Sequence, residues 1–110
     1  MFKGFIFDLD GTVYLGDHLI AGAERVVRVL RKMGRKVVFL SNKPLQGRDE
    51  YAAKLTRLGI PTAPEDVINS TFVLLRYLRK TAPGARVFPI AEPPVIAELA
   101  ANGFTITDDP

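Results

Sequence analysis

Residues Asp8, Leu9, Asp10, Gly11 and Thr12 directly follow the apolar run Phe5, Ile6 and Phe7. Successive strand side chains point to opposite faces. Beyond the strand end the chain can curl, and the side chains of Asp8 and Asp10 can converge on one pocket. Convergent carboxylates beside backbone N–H groups suit a divalent cation and a phosphate. Asp8 is the candidate nucleophile, because a carboxylate attacking phosphorus gives an acyl phosphate and splits one hard step into two easier ones. The attacking oxygen and the phosphate are both negative, so a cation must lie between them. Magnesium, with oxygen ligands and near-octahedral geometry, fits that place. Asp10 is the candidate general acid and base, protonating the leaving oxygen and then deprotonating the attacking water. Gly11 lets the backbone turn and present its N–H, and Thr12 can hydrogen-bond and orient Asp10. An ordinary Asp-Gly turn, with Asp10 capping a neighbouring N–H, accounts for Asp10 and Gly11 but not for Asp8.

Ser41, Asn42, Lys43 and Pro44 form a second constellation, at the exit of the apolar run Val37, Val38, Phe39 and Leu40. A hydroxyl with backbone N–H groups at a helix N-terminus is a phosphate site. By itself the same string reads as an ordinary helix cap, with Ser41 or Asn42 ahead of a helix that Pro44 starts. Beside Asp8 on a parallel sheet, the phosphate reading is favoured. Lys43 and Arg48 are read as solvated rather than phosphate-facing. Asp17 and His18 are read as loop-surface residues, and Tyr14 as packing on the excursion after the first strand.

The elements that must position these residues alternate between strand and helix. Strands are predicted at residues 2–8, 36–41, 66–69 and 85–90, with a further strand beginning at 104–107. Helices are predicted at 21–33, 44–58, 70–81 and 93–102, with Ser70 as the N-cap of the third and glycines such as Gly34 ending others. Residues 10–20 are an excursion of irregular or hairpin character. Strands alternating with helices of this length imply crossover connections, hence an α/β, Rossmann-like parallel sheet with helices on both faces. Ligands of such sheets bind beyond the carboxyl ends of the strands, where Asp8 and Ser41 both fall.

The bulk composition excludes several other chemistries. The chain has 110 residues, 47% hydrophobic and 25% charged, which is ordinary globular composition for one domain. It has no cysteine, so disulfides, thiolate zinc sites and cysteine nucleophiles are excluded, and its single histidine, His18, rules out a multi-histidine metal site. The net charge of +3 is too small to imply nucleic acid. Arg25, Arg28, Arg31, Lys32 and Arg35 recur at helical spacing and read as the solvated face of a helix whose other face holds Val26, Val27, Val29 and Leu30. No apolar run approaches the ~18 residues of a membrane span. The N-terminus enters a strand rather than a signal peptide, so a cytoplasmic location is expected.

The string from Asp8 to Thr12 resembles the first motif of the haloacid-dehalogenase superfamily of hydrolases, and Ser41 with Asn42 resembles its second. The excursion from Val13 to Asp17 and the run from Phe39 to Pro44 are similar to the class IIA branch. That branch includes the nitrophenyl-phosphatase-like and N-acetylglucosamine-operon (NagD-like) phosphatases. Within it the chain looks closest to sugar phosphatases of the arabinose-operon type. The resemblance covers the whole chain, including the stretch from Gly103 to Asp108, which is similar to the segment just before that branch's cap domain. It implies that Asp8 is nucleophile and magnesium ligand. It implies that Asp10 is general acid/base and supplies a second magnesium ligand through its backbone carbonyl. Gly11, Thr12, Ser41 and Asn42 are then the phosphate-binding set. The implied activity is magnesium-dependent hydrolysis of small phosphorylated metabolites, sugar phosphates foremost, through an aspartyl-phosphate.

The family also needs a later lysine that neutralises the phosphate and a later acidic residue that completes the magnesium site. Both normally follow an inserted cap domain. Lys80 falls on a predicted helix, and Asp108 and Asp109 come too early. Residues 1–110 are therefore expected to be the N-terminal part of the core, without the cap or the C-terminal half. The partners expected are a small phosphorylated substrate, with no nucleic acid and no membrane; a homodimer of the full-length form is left open. Two other readings compete. A phospho-accepting receiver domain has similar length, but its third strand ends in an aspartate, whereas this one ends Ile68, Asn69, Ser70. A non-catalytic relative would bind a phosphometabolite or a partner through the same pocket.

Overall fold

The computed structural model describes residues 1–43 and 45–110. The strands are β1 (Gly4–Asp8), β2 (Tyr14–Leu15), β3 (His18–Leu19), β4 (Lys36–Ser41), β5 (Val67–Asn69), β6 (Arg86–Val87) and β7 (Thr105–Ile106). The helices are α1 (Ala23–Lys32), α2 (Arg48–Leu58), α3 (Ser70–Thr81) and α4 (Pro93–Ala101), with a single 3₁₀ turn at Pro64–Asp66. This is the expected α/β arrangement of parallel strands and helices. Two compact units make up the chain: Met1–Ser41 with Arg48–Ile68, and Asn42–Gly47 with Asn69–Pro110.

In the first unit the sheet order is β1-β4-β5. β1 and β4 run parallel, in register from Gly4 opposite Lys36 to Asp8 opposite Leu40. β4 is the middle strand, with Val37, Phe39 and Ser41 buried and Val38 and Leu40 half-buried. That pattern suits a parallel strand covered on both faces. Helix α2 turns Tyr51, Ala52 and Leu55 inward, and these join Phe39, Ile60 and Val67 in the core. Helix α1 contributes Val27, with Ala23 and Leu30 packed beside it. Val26 and Val29, expected on the same face, are exposed. Positions 23, 27 and 30 share one helical stripe, and the two valines fall outside it. Among the expected solvated cations, Arg25, Arg28 and Lys32 are exposed, whereas Arg31 and Arg35 are half-buried, and Arg31 donates to the Pro61 carbonyl. The helix ends where expected, with Gly34 at φ 73°, a left-handed stop that costs glycine little.

In the second unit β6 and β7 pair in parallel, Arg86 opposite Thr105 and Val87 opposite Ile106. Leu75, Val95, Leu99 and Phe104 form its core. The N-cap of α3 is Asn69, whose side chain accepts from the Phe72 N–H at 2.8 Å. The expected cap, Ser70, is instead the first helical residue. Asn and Ser are equally good caps, so composition at adjacent positions could not separate them. The strand expected at 85–90 is cut to Arg86–Val87, because Pro89 has no N–H to give a ladder.

The helix expected from Pro44 begins at Arg48. Pro44 itself lies outside the described residues. Gly47 precedes the observed start, and glycine is a weak helix former. Among the described residues, no helix is long and apolar enough to cross a membrane.

Candidate active site

Strand β1 delivers Asp8 as its last residue. The loop beyond it is half inside and half outside. Leu9, Val13 and Tyr14 are buried in the first unit's core, while Asp8, Asp10, Gly11 and Thr12 are exposed. Alternating anchors of this kind hold polar side chains at the surface without leaving the backbone loose. The winding centres on one carbonyl. Leu9 accepts from the N–H groups of Thr12 (3.1 Å), Val13 (2.9 Å) and Tyr14 (3.3 Å). The Gly11 N–H donates to the Tyr14 carbonyl at 2.8 Å, with Gly11 at φ 83°. This left-handed conformation is strained for any residue with a Cβ.

Those bonds correct two expectations. The Gly11 N–H, expected to be presented by the turn, is bonded inside the loop, as is that of Thr12. The Thr12 hydroxyl, expected to orient Asp10, donates to Asp8 Oδ2 at 3.4 Å. Thr12 is the fourth residue after Asp8, and the tight turn about Leu9 brings the hydroxyl back over the strand end.

Tyr14 is the unexpected member of the site. It was read as packing on the excursion, yet it is only 3% exposed and belongs to the unit's core. Burial, then Tyr51, then the Asp10 and Asp8 carboxylates push its phenol up to about 12. Both carboxylates thus act on one ring. A short antiparallel hairpin, Tyr14 opposite Leu19 and Leu15 opposite His18, carries that ring. Above it stands the ammonium of Lys54 from α2, 3.9 Å from the ring centroid. Nothing in the local sequence pairs residues 14 and 54. Only the helical phase of α2, with Tyr51 and Leu55 inward, points to position 54 as a neighbour of the core's rim.

Ser41 closes β4 and is buried. It lies one residue beyond Leu40, the register partner of Asp8. Asn42 and Lys43 follow it and are exposed. Neither Ser41 nor Asn42 caps α2, which begins only at Arg48. The Arg48 Nε donates to the Val67 carbonyl at 2.6 Å, so Arg48 braces β5 rather than standing solvated. Asp17 and His18 are exposed, as expected, and Asp17 meets Arg57 of α2 at 3.6 Å.

The donor set at the strand end is carboxylate, hydroxyl and carbonyl oxygen only, the chemistry that hard cations prefer. Magnesium is held by one or two carboxylates with water and phosphate completing the shell, and Asp8 and Asp10 fit that sparse requirement. Among the described residues, no cluster of three or more acidic, histidine or cysteine side chains could hold a metal by itself. A groove of about 590 Å³ is lined by Glu24, Val27, Arg28, Lys32 and Ile60, and none of the residues above contributes to it.

Comparison with known proteins agrees with these motifs. Residues 5–105 match the family of haloacid dehalogenase-like hydrolases. The sugar-phosphatase AraL of Bacillus subtilis is 36% identical over 107 residues, which is 97% of this chain and 39% of that protein. The structure of 4-nitrophenylphosphatase from Thermotoga maritima superposes with a TM-score of 0.89 at 27% identity, over 98% of this chain and 41% of that one. A glycerol phosphate phosphatase from Mycobacterium tuberculosis, solved in complex with magnesium, gives a TM-score of 0.78 at 33% identity, over 94% of this chain and 31% of that one. The same enzyme has also been solved with calcium. The chain therefore spans well under half the length of these relatives.

Proposed function

This chain belongs to the haloacid dehalogenase-like hydrolases, and on that premise we propose that it is the N-terminal core segment of a magnesium-dependent phosphatase of small phosphorylated metabolites. The observation that carries the reading is the loop after β1. It exposes Asp8, Asp10 and Thr12 while burying Leu9, Val13 and Tyr14. Sugar phosphates are the favoured substrate class, since AraL is a sugar-phosphatase.

In this reading Asp8 attacks phosphorus. The Asp8 oxygen–phosphorus bond forms as the ester oxygen–phosphorus bond breaks, and Asp10 gives its proton to the departing alcohol. Asp10, now a carboxylate, takes a proton from water. That water attacks the aspartyl-phosphate, releases inorganic phosphate and restores Asp8. Thr12 orients Asp8 through its hydroxyl, and Gly11 keeps the turn. The Ser41 hydroxyl, with Asn42 next in the chain, binds the transferring phosphoryl oxygens. The Asp8 carboxylate and the Asp10 carbonyl would hold a magnesium ion, which when bound supplies the positive charge that lets two anionic groups meet.

We propose further that the lysine and the remaining acidic residue of the reaction come from polypeptide outside residues 1–110, together with a cap domain. The native polypeptide is then expected to have an intact mass well above the 12.1 kDa of these residues. The deciding experiment is phosphate release from 4-nitrophenyl phosphate and a sugar-phosphate panel, with and without magnesium, by that polypeptide and its Asp8→Asn variant. Asp8→Asn is expected to lower turnover at least about a thousandfold while leaving the thermal midpoint near the parent's. A parent that binds phosphorylated ligands but releases no phosphate would instead identify a non-catalytic binding module.

A further inference from the structure

Resting on the phosphatase reading, we propose that Lys54 is a positioning residue for the loop of Asp8 and Asp10, acting through the ring of Tyr14. Two links make the path. The Lys54 ammonium stands 3.9 Å from the Tyr14 ring centroid, where the negative face of the ring attracts it. The Tyr14 backbone in turn grips both sides of Asp10: its carbonyl accepts from Gly11 at 2.8 Å and its N–H donates to Leu9 at 3.3 Å. Wherever the ring is held, the chain around Asp10 is held with it.

The loop needs such a hold from outside. The hairpin that carries Tyr14 has two strands of two residues each, too short to keep its own place. Helix α2 supplies the hold from two successive turns. Lys54 reaches the ring, and three residues later Arg57 reaches Asp17 at the hairpin tip, 3.6 Å away. The Arg57 pair is largely exposed on both sides and is weak for that reason. Lys54 is half-buried and its target ring is buried, so its attraction is less screened. A lysine stem lying on an aromatic ring for packing alone is the competing account, and it makes a different prediction: only the stem would matter, not the charge.

Three variants separate the two accounts. Lys54→Met keeps the stem and removes the charge, Lys54→Arg keeps the charge and its stacking on the ring, and Asp8→Asn reports whether the phosphatase reading holds. In the intact polypeptide with magnesium and 4-nitrophenyl phosphate, Lys54→Met is expected to lower kcat about tenfold with KM unchanged, and Lys54→Arg to stay within about twofold of the parent. In the metal-free protein, Lys54→Met is expected to speed hydrogen exchange at the Gly11 amide about tenfold. The Ile60 amide, which donates to Leu55 in the core, is expected not to change. An unchanged Gly11 exchange rate in Lys54→Met, or an Arg variant as impaired as the Met variant, overturns the proposal. A parent without phosphatase activity, or an Asp8→Asn variant with full activity, overturns the phosphatase reading instead. The exchange comparison still decides whether Lys54 positions the loop.

Discussion

The two compact units stabilise themselves differently. The first is built on a continuous apolar cluster running from Leu9 and Tyr14 through Phe39 to Leu55 and Val67. Among the described residues the second has a four-residue buried core, beside which stand polar contacts: the Asn69 cap, the Asn69 side chain donating to the Gln46 carbonyl, and the Arg79 contact to Asn102. The proposed site lies where the apolar cluster is large. There, three buried residues of the loop after β1 let four exposed ones stay in place. A site of this kind takes its rigidity from packing beneath it together with the backbone bonds that wind the loop about the Leu9 carbonyl.

The largest effect should come from striking that cluster. Phe39 is fully buried on the middle strand, and Phe39→Ala is expected to cost about 3–5 kcal/mol in urea denaturation. Leu99→Ala, in the smaller core, should cost less, about 2–3 kcal/mol. Equal losses would break the contrast between the units. A middle-sized effect is expected at alkaline pH. The Tyr14 phenol ionises at about 12 in the folded chain, against about 10 when unfolded. The folded state therefore binds the extra proton between those values, and stability falls as pH rises from about 10 to about 12. An ultraviolet titration should show one phenol ionising late, and Tyr14→Phe should remove both the late phenol and that slope. The smallest effect belongs to the second unit's cap. Asn69→Ala should cost about 1 kcal/mol, read as faster amide exchange at Phe72.

Much of this was legible in the chain, for reasons that can be named. The run Val37 to Leu40 has the continuous apolar character of a covered parallel strand, and it is the middle strand. That Asp8 ends the first strand, with Asp10 exposed just beyond it, was readable because the apolar run stops there. Less readable were features that depend on where backbone groups bond. The commitment of the Gly11 and Thr12 N–H groups within the loop is invisible in residue types. So was the shift of the α3 cap by one residue, because Asn69 and Ser70 are interchangeable in that role. Lys54 was beyond reach for another reason. Its meaning arises from a ring forty residues earlier in the chain, and no local pattern records such a distance.

β1 stands at the edge of the sheet among the described residues, and midway along it Ile6 is 69% exposed. An uncovered apolar strand edge is a template on which a foreign strand can assemble. Lys3, just before the strand, is the charge nearest to its start that can discourage such pairing. Residues 1–110 handled alone should accordingly be a solubility problem before they are an enzymological one. Self-association should grow with concentration and ease when Ile6 is replaced by a charged residue such as lysine.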